Sequence, residues 1–449
     1  MFRIPHFRFS NTRASAWRSR TKGGTTFAVG VLLTVSGAHA QEVYPPAEAA
    51  RWIAVALERN PGLAAARLDA DAVHALAHHH NALANPELAV DFYQGPVARF
   101  PNPLSRQEEI DYSVAQRIPF PGKLGSMASA EHWRGAAAGK RNEGTALELR
   151  RRVLTAYADL YAVEWELRIL RENRDEMNRL IQSLKTGYAS GRGRQSDWLR
   201  AESESAALEA AILKAEAMRL ESRAMAAEAM GLEDRDAPEL RVRTDSMTPP
   251  VLSIAPETLR NNAVAKSPDL AAMDFEVSMA DAEITVANKE ALPDFMVRGT
   301  YKDMRNDPKD YWSLMVAVEA PLLPWAWQGL RQGVRRARLL REKAGREATR
   351  ARIGLITDLD RSRSDLESAS DRLKLARERQ IPVAAQMAQS VQAEYRQGTA
   401  DFNEVIMSLR EVRMAREQYH QAASDHLKAW ANLEWVTGGN LSDVAGEKP

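Results

Sequence analysis

Two segments 207 positions apart share one pattern, Tyr188-Ala-Ser-Gly191 with Ser196 beyond it and Tyr395-Arg-Gln-Gly398 with Asp401 beyond it. Each breaks a long helical periodicity with an aromatic residue and a glycine three positions on. Glycine there suits the left-handed end of a helix, and Ser196 or Asp401 can cap the next one, so each segment reads as the tip of a helical hairpin. The same offset relates Asn60-Pro61-Gly62-Leu63-Ala64-Ala65 to Ser267-Pro268-Asp269-Leu270-Ala271-Ala272, and Asn81, Pro86 and Val90 to Asn288, Pro293 and Val297. Solenoid repeats run about 20 to 50 residues, so a period this long means two copies of a whole fold. The helical stretches from Gly122 to Tyr188 and from Gly329 to Tyr395 would each reach about 100 Å at 1.5 Å per residue, which no compact globular domain accommodates.

Upstream of each long helix the period changes from helical to two. The Ala-rich helical pattern from Ala47 to Ala84 ends before Asn85-Pro86. Leu88, Val90 and Phe92 then alternate with Ala89, Asp91 and Tyr93, and Ile110, Tyr112, Val114 and Ile118 alternate with Asp111, Ser113, Ala115 and Arg117. The second copy repeats this with Phe295, Val297 and Tyr301 against Met296, Arg298, Thr300 and Lys302, then Trp312, Leu314, Val316 and Val318 against Ser313, Met315, Ala317 and Glu319. Four strands of about nine or ten residues, each with one apolar and one polar face, have the length that crosses a bilayer at a tilt. An ordinary half-buried sheet gives the same alternation. The helix partners run from Ser196 to Met230 and from Asp401 to Val436. In the last of them Phe402, Val405, Leu409, Val412, Arg416 and Tyr419 advance in alternating steps of three and four, a coiled-coil seam. Ile381-Pro382 is expected to bend the second long helix.

At the N-terminus, six basic and no acidic residues precede an apolar run from Thr25 to Val35 and the pattern Ala38-His39-Ala40, which reads as a secretory signal peptide over 1–40. Without it, 55 basic residues stand against 60 acidic ones, so no basic excess points to nucleic acid. The chain contains no cysteine, hence no disulfide, and the residue after the cleavage pattern is Gln41, which offers no acylation site. Past the leader no apolar run reaches the roughly 18 residues of a spanning helix. The expected layout is a first repeat over 41–232, with a β-hairpin at 87–118 and a tip near 188–199. A Pro-rich connector over 233–256, packed outside the helices as an irregular belt, leads to a second repeat over 257–438, with a β-hairpin at 294–320 and a tip near 395–406. A polar tail covers 439–449. Four strands cannot close a barrel, and open edges are not tolerated in lipid, so closure requires further copies.

The duplicated order of strands and helices, Gln116-Arg-Ile-Pro-Phe-Pro-Gly-Lys123 leaving the second strand, Ala320-Pro-Leu-Leu-Pro324 leaving the fourth and the twin Tyr-x-x-Gly tips together resemble the TolC family of outer-membrane channel proteins over about Ala47 to Gly438. The resemblance implies an α+β membrane protein: a homotrimeric, 12-stranded outer-membrane β-barrel with four strands per chain, continued by a periplasmic α-helical coiled-coil barrel. It further implies the exit duct of a tripartite efflux system in a Gram-negative bacterium, partnered by a periplasmic adaptor (membrane fusion) protein and an RND-type inner-membrane transporter, or alternatively an ABC exporter in type I secretion. The Pro-Gly-Lys segment looks most like the heavy-metal efflux branch. A soluble periplasmic coiled-coil adaptor and a periplasmic enzyme are the competing readings.

The resemblance also nominates residues. Tyr395 matches a tyrosine at the family's periplasmic entrance and Glu404 the first of two acidic positions, while Met407 replaces the second and Ala400 stands where a basic residue often lies. Fewer closed-state bonds are therefore expected. Glu404 also reads simply as a first-turn carboxylate favoured by the helix dipole. Arg192, Gly193, Arg194, Gly398 and Thr399 form the candidate adaptor-docking tips. Asp91, Asp111, Arg117, Arg298 and Glu319 are candidate lumen-facing residues of the barrel, and Trp325 and Trp327 are expected at its inner rim, where indoles favour the interface. His74 and His78, with His79 and His80, have a helical spacing that a metal could use, but they read first as a solvated helix end. Pro121-Gly122-Lys123-Leu124 lacks the hydroxyl of a phosphate loop and reads as the turn from barrel to tunnel. No H-E-x-x-H or G-x-S-x-G occurs. No catalytic residue, cofactor or metal site is assigned.

Overall fold

The computed structural model describes residues 44–93, 109–191, 193–233, 255–304, 309–321, 324–439 and 441. The expected leader, the 234–254 part of the connector, Arg192 and most of the C-terminal tail lie outside these residues. The elements run α1 (Ala47–Arg59), α2 (Pro61–His80), β1 (Glu87–Tyr93), β2 (Glu109–Ile118), α3 (Lys123–Ala189) and α4 (Gln195–Met230). The order then repeats as α5 (Pro256–Lys266), α6 (Pro268–Lys289), β3 (Asp294–Met304), β4 (Tyr311–Glu319), α7 (Pro324–Leu375), a π-helical turn (Ala376–Gln380), α8 (Ile381–Gln397) and α9 (Phe402–Val436). Helix α3 alone has 67 residues, about 100 Å of continuous helix.

Two expectations about these helices need correction. The first helical stretch is not continuous to Pro86. It breaks at Asn60, whose Oδ1 accepts the amides of Gly62 (2.9 Å) and Leu63 (3.2 Å), and it restarts with Pro61 as the first helical residue. Proline lacks the N–H that a helix start leaves unused, so Asn-Pro starts a helix here as well as ending one. Ser267-Pro268 does the same in the second copy, with Ser267 Oγ accepting from the Leu270 amide at 3.3 Å. Helix α7 begins at Pro324, five residues before Gly329. The irregularity at Ile381-Pro382 takes the form of the π turn, in which the Ile381 amide reaches back five residues to the Ala376 carbonyl. One wide turn accommodates the ring of Pro382 and its missing donor without ending the helix.

Each repeat closes on a glycine at the same relative position. Gly231 ends α4 at φ +72° and lies against the α1–α2 joint. Gly438 follows α9 at φ +74° and lies against Lys266 at the α5–α6 joint. The helical core comprises three apolar clusters. One joins Trp52, Leu154, Tyr157, Leu160 and Leu427, a second lies toward the tips with Leu170, Ile181, Leu208 and Phe402, and a third surrounds Leu259, Leu366 and Leu433. Of the seam expected in α9, Phe402 and Val405 lie in the second cluster and Tyr419 in the first, so the helices gain stability from long-range packing of a stripe, whereas Arg416 leaves it to pair with Glu172 at 2.7 Å.

The four strands form one antiparallel sheet in the order β1-β2-β3-β4, so the central pairing joins the two repeats and both outer edges are unpaired within the chain. On the central strand β2 the burial is inverted relative to a soluble sheet. Asp111 and Ser113 on β2 are only 5 % and 6 % exposed, whereas Trp312 and Leu88 on the opposite face are 80 % and 75 % exposed. Register assembles that bare apolar face in rows, with Val90, Tyr112, Tyr301 and Trp312 abreast and Leu88, Val114, Gly299 and Leu314 beside them. An apolar outer face and a polar inner one are the pattern of a sheet whose outer solvent is lipid, which sets the half-buried soluble alternative aside. Among the described residues no helix is long and apolar enough to cross a membrane.

Candidate functional site

The two hairpin tips are built from local backbone chemistry. At the second, the Gly398 amide donates to the Tyr395 carbonyl (3.0 Å) and the Thr399 amide to the Glu394 carbonyl (3.0 Å), the paired bonds that end a helix through a left-handed residue. Gly398 has φ +78° and Gly191, at the first tip, φ +74°. Asp401 caps α9 through its Oδ1 and the Phe402 amide at 2.8 Å. Ser196 does not cap α4, because that helix already starts at Gln195; its hydroxyl instead bonds Asp197 Oδ1 at 3.2 Å. Gly193, Arg194, Gly398 and Thr399 are all exposed. At Gly193 a Cβ would fall 3.1 Å from the Tyr188 amide nitrogen, so this glycine lets the turn pass close to the end of α3.

The tips are tied to each other. The Tyr395 hydroxyl donates to Asp197 Oδ2 at 3.1 Å, and Arg200 pairs with Asp401 at 3.6 Å, both linking the α3–α4 hairpin to the α8–α9 hairpin. Burial, then the neighbouring Asp197 carboxylate, push the Tyr395 phenol up to about 12, so it acts as a donor at any physiological pH. One turn deeper, Arg410 Nε lies 3.0 Å from both carboxylate oxygens of the buried Glu204, joining α9 to α4. Asp197, Arg200, Glu204 and Arg410 were not singled out from the sequence; Asp197 and Arg200 do follow the first tip at helical spacing. Glu404 is exposed on the first turn of α9, and among the described residues no hydrogen bond or ion pair links it to Tyr395.

The five candidate barrel residues share one face. Asp91 stands opposite Asp111, Asp111 opposite Lys302, and Arg298 opposite Ala115, while Arg117 and Glu319 form an ion pair at 3.1 Å. Lys302 Nζ contacts Glu109 at 2.5 Å and Asp111 at 3.0 Å, so the polar face is cross-linked by charge across the repeats. Where the sheet passes into the helices, Gly122 takes φ +89°, and Lys123 Nζ bonds Asp294 Oδ1 and the Leu292 carbonyl, each at 2.7 Å. Lys289 bonds the Gly122 carbonyl at 2.9 Å. The Pro-Gly-Lys turn is thus clamped by the second repeat. Trp325 and Trp327 are exposed on the first turn of α7. His74 stacks close to Gly135 on α3, the His78 side chain lies outside the described set, and no cluster of three or more metal-binding side chains occurs among the described residues.

The model of a family described as outer membrane efflux protein matches the sequence twice, over residues 52–232 and 259–439. The chain belongs to that family, the TolC-type outer-membrane channels. The duplicated match agrees with the duplicated fold. Members are transport conduits and not enzymes. Among solved structures, the outer-membrane channel OprN is similar at TM-score 0.73 and 18 % identity, over 88 % of this chain and 90 % of that one. VceC from Vibrio cholerae gives 0.73 and 15 %, over 88 % and 97 %, and CusC gives 0.72 and 14 %, over 88 % and 92 %. No curated protein matches the sequence significantly. The protein is therefore an outer-membrane efflux channel of the TolC type.

Proposed function

We propose that this efflux family member is the exit duct of a tripartite system of the RND type, set in the outer membrane of a Gram-negative cell as a homotrimer. The observation that carries the reading is the inverted four-stranded sheet with two unpaired edges, continued through a clamped turn into helices of tunnel length. Three copies bring twelve strands and remove every edge. The face carrying Asp91, Asp111, Arg117, Arg298 and Glu319 lines the lumen, and the rows around Trp312 meet lipid. The tips at Gly193, Arg194, Gly398 and Thr399 meet a periplasmic adaptor. Tyr395, held by Asp197, and Glu404 narrow the periplasmic entrance. Through the resemblance of Pro121-Gly122-Lys123 to the heavy-metal branch, the cargo is heavy-metal cations or small toxic compounds. The N-terminal basic and apolar segment is a signal peptide that directs export.

Two measurements test this. Light scattering of the detergent-purified mature protein should give a trimer, and a monodisperse monomer would remove the basis of the shared barrel. Deletion of the gene should sensitise cells to metal cations or toxic compounds to the same degree as deletion of a cognate RND transporter. Loss of a secreted protein instead, matched by deletion of an ABC exporter, would assign the duct to type I secretion.

A further inference from the structure

The strongest net charge without a role lies at the head of α7. From Arg331 to Arg352 this helix carries nine basic and two acidic residues, net +7, whereas the equivalent stretch of α3, residues 124–145, carries three and two, net +1. The duplication is an internal control, because the same architecture forms in the first repeat without this charge. Residues 41–449 as a whole are net −5, 55 basic against 60 acidic, so the segment also runs against the rest of the chain. Arg331, Arg335 and Arg338 share one helix face at i, i+4 and i+7, and these three and Arg336 are exposed. Among the described residues none of the four forms an ion pair; the first in α7 is Arg341 with Asp281, at 3.0 Å. Before them in the helix, Trp325 and Trp327 are 70 % and 46 % exposed.

We propose that Arg331, Arg335, Arg336 and Arg338 bind the anionic phospholipid headgroups of the leaflet that borders the tunnel. This rests on the barrel reading, in which β4 leaves the bilayer at Glu319 and α7 starts at Pro324. Indoles settle at headgroup depth, and the four arginines follow Trp327 at about 6 to 16 Å along the axis. Side chains on a helix lean toward its N-terminus, which here is the membrane end, and long arginine stems carry the guanidinium further in that direction. Guanidinium matches a phosphate diester with two parallel hydrogen bonds. In the proposed trimer a neighbouring copy would offer the arginines a competing partner, the exposed Asp69 and Asp71 of its α2. Two carboxylates cannot neutralise four unpaired arginines, which favours the lipid.

The experiment uses the assembled full chain in nanodiscs of equimolar phosphatidylcholine and phosphatidylglycerol, with retained lipid counted by native mass spectrometry. The wild type should retain phosphatidylglycerol preferentially, and R331Q/R335Q/R336Q/R338Q should lower that preference at least tenfold, since an arginine beside an anionic leaflet is worth roughly fivefold in binding. The same preference should fall with added salt in the wild type, which tests the idea even if the variant assembles poorly. Equal retention of the two lipids by the wild type, or an unchanged preference in the variant, overturns the proposal. Dissociation of the assembly with the preference intact assigns the arginines to Asp69 and Asp71 of the neighbouring copy and overturns it too. A chain that does not enter nanodiscs at all refutes the barrel reading itself, and this proposal with it.

Discussion

Gly231→Ala is the substitution whose cost the structure defines best. At φ +72° any L-residue is strained, by about 1–2 kcal/mol. A Cβ would also lie 2.6 Å from Asn60 Cα and 2.8 Å from Pro61 Cδ, a rigid backbone position and a rigid ring, so the α1–α2 joint must move. Such overpacking typically adds about 1–3 kcal/mol, for a total of roughly 2–5 kcal/mol. Gly438→Ala should behave alike, because its Cβ would fall 2.5 Å from the Lys266 carbonyl oxygen at the equivalent joint. Gly191→Ala and Gly398→Ala are the controls. They carry the same positive φ, but a Cβ there meets nothing within 4 Å, so only the strain of about 1–2 kcal/mol applies. Thermal unfolding of the detergent-purified variants, followed by tryptophan fluorescence, should therefore group Gly231 with Gly438 and separate both from the tip glycines. If Gly231→Ala melts no lower than Gly398→Ala, the close approach at the joint does not govern stability and the reasoning fails.

Three further outcomes follow from the tips and the buried helix faces. Gly398→Val should impair export while leaving membrane assembly intact, because a branched residue resists the left-handed turn; normal export by this variant would count against adaptor docking at the tip. Glu404→Gln should lower cation preference in planar-bilayer recordings if three carboxylates ring the entrance, and unchanged selectivity and conductance would make Glu404 a plain helix-start charge. His426, almost fully buried with Nδ1 3.0 Å from the Tyr44 hydroxyl, is held down to about 4 by burial, so the folded state stays neutral where the unfolded chain takes up a proton. Its stabilising effect is complete above about pH 6.5 and declines as pH falls to 4, by about 3 kcal/mol in all, and His426→Gln should flatten that part of the stability profile. A profile of unchanged slope would show that His426 does not titrate on unfolding.

What the sequence revealed and what it hid divide by the range of the interaction. Gly191, Gly398 and Asp401 act on backbone within a few residues, and their chemistry was readable at once. Alternation along four strands was equally local, and with helix length it pointed to the barrel. The Asn60-Pro61 joint interrupts a helical periodicity that runs from Ala47 to Ala84 without a break in its pattern, as Ser267-Pro268 does between α5 and α6. Asn60-Pro61 and Asn85-Pro86 are the same dipeptide, so only the path of the chain beyond it separates a restart from a stop, and the alanine-rich flanks give no second cue. The cross-tip bonds were invisible for another reason. Tyr395 and Asp197 are 198 positions apart, and Arg410 and Glu204 are 206 apart, so each pair exists only once the two hairpins have been laid side by side. Buried His420 was hidden likewise, since its partners are the Trp165 ring stacked at 3.7 Å and the Tyr161 hydroxyl at 3.0 Å, both on α3.

The chain faces two solvents, and only the sheet records the second. Alternate residues of four short strands are too few to alter a mean hydropathy of −0.42, so composition describes the helices and conceals the barrel. The same division separates what one copy can form from what it cannot. All three apolar clusters of the helical part are made within one chain, so their burial requires no partner. The sheet is different: β1 and β4 each present an unpaired edge, and every unsatisfied peptide group in hydrocarbon costs several kcal/mol. Even a few such groups exceed the whole stability of an ordinary domain, about 5–15 kcal/mol. A single copy therefore cannot hold its strands in lipid, whereas its helices can already be packed. On the proposed trimeric reading, the edges of β1 and β4 are paired by neighbouring copies, which removes that cost for the strands in the bilayer.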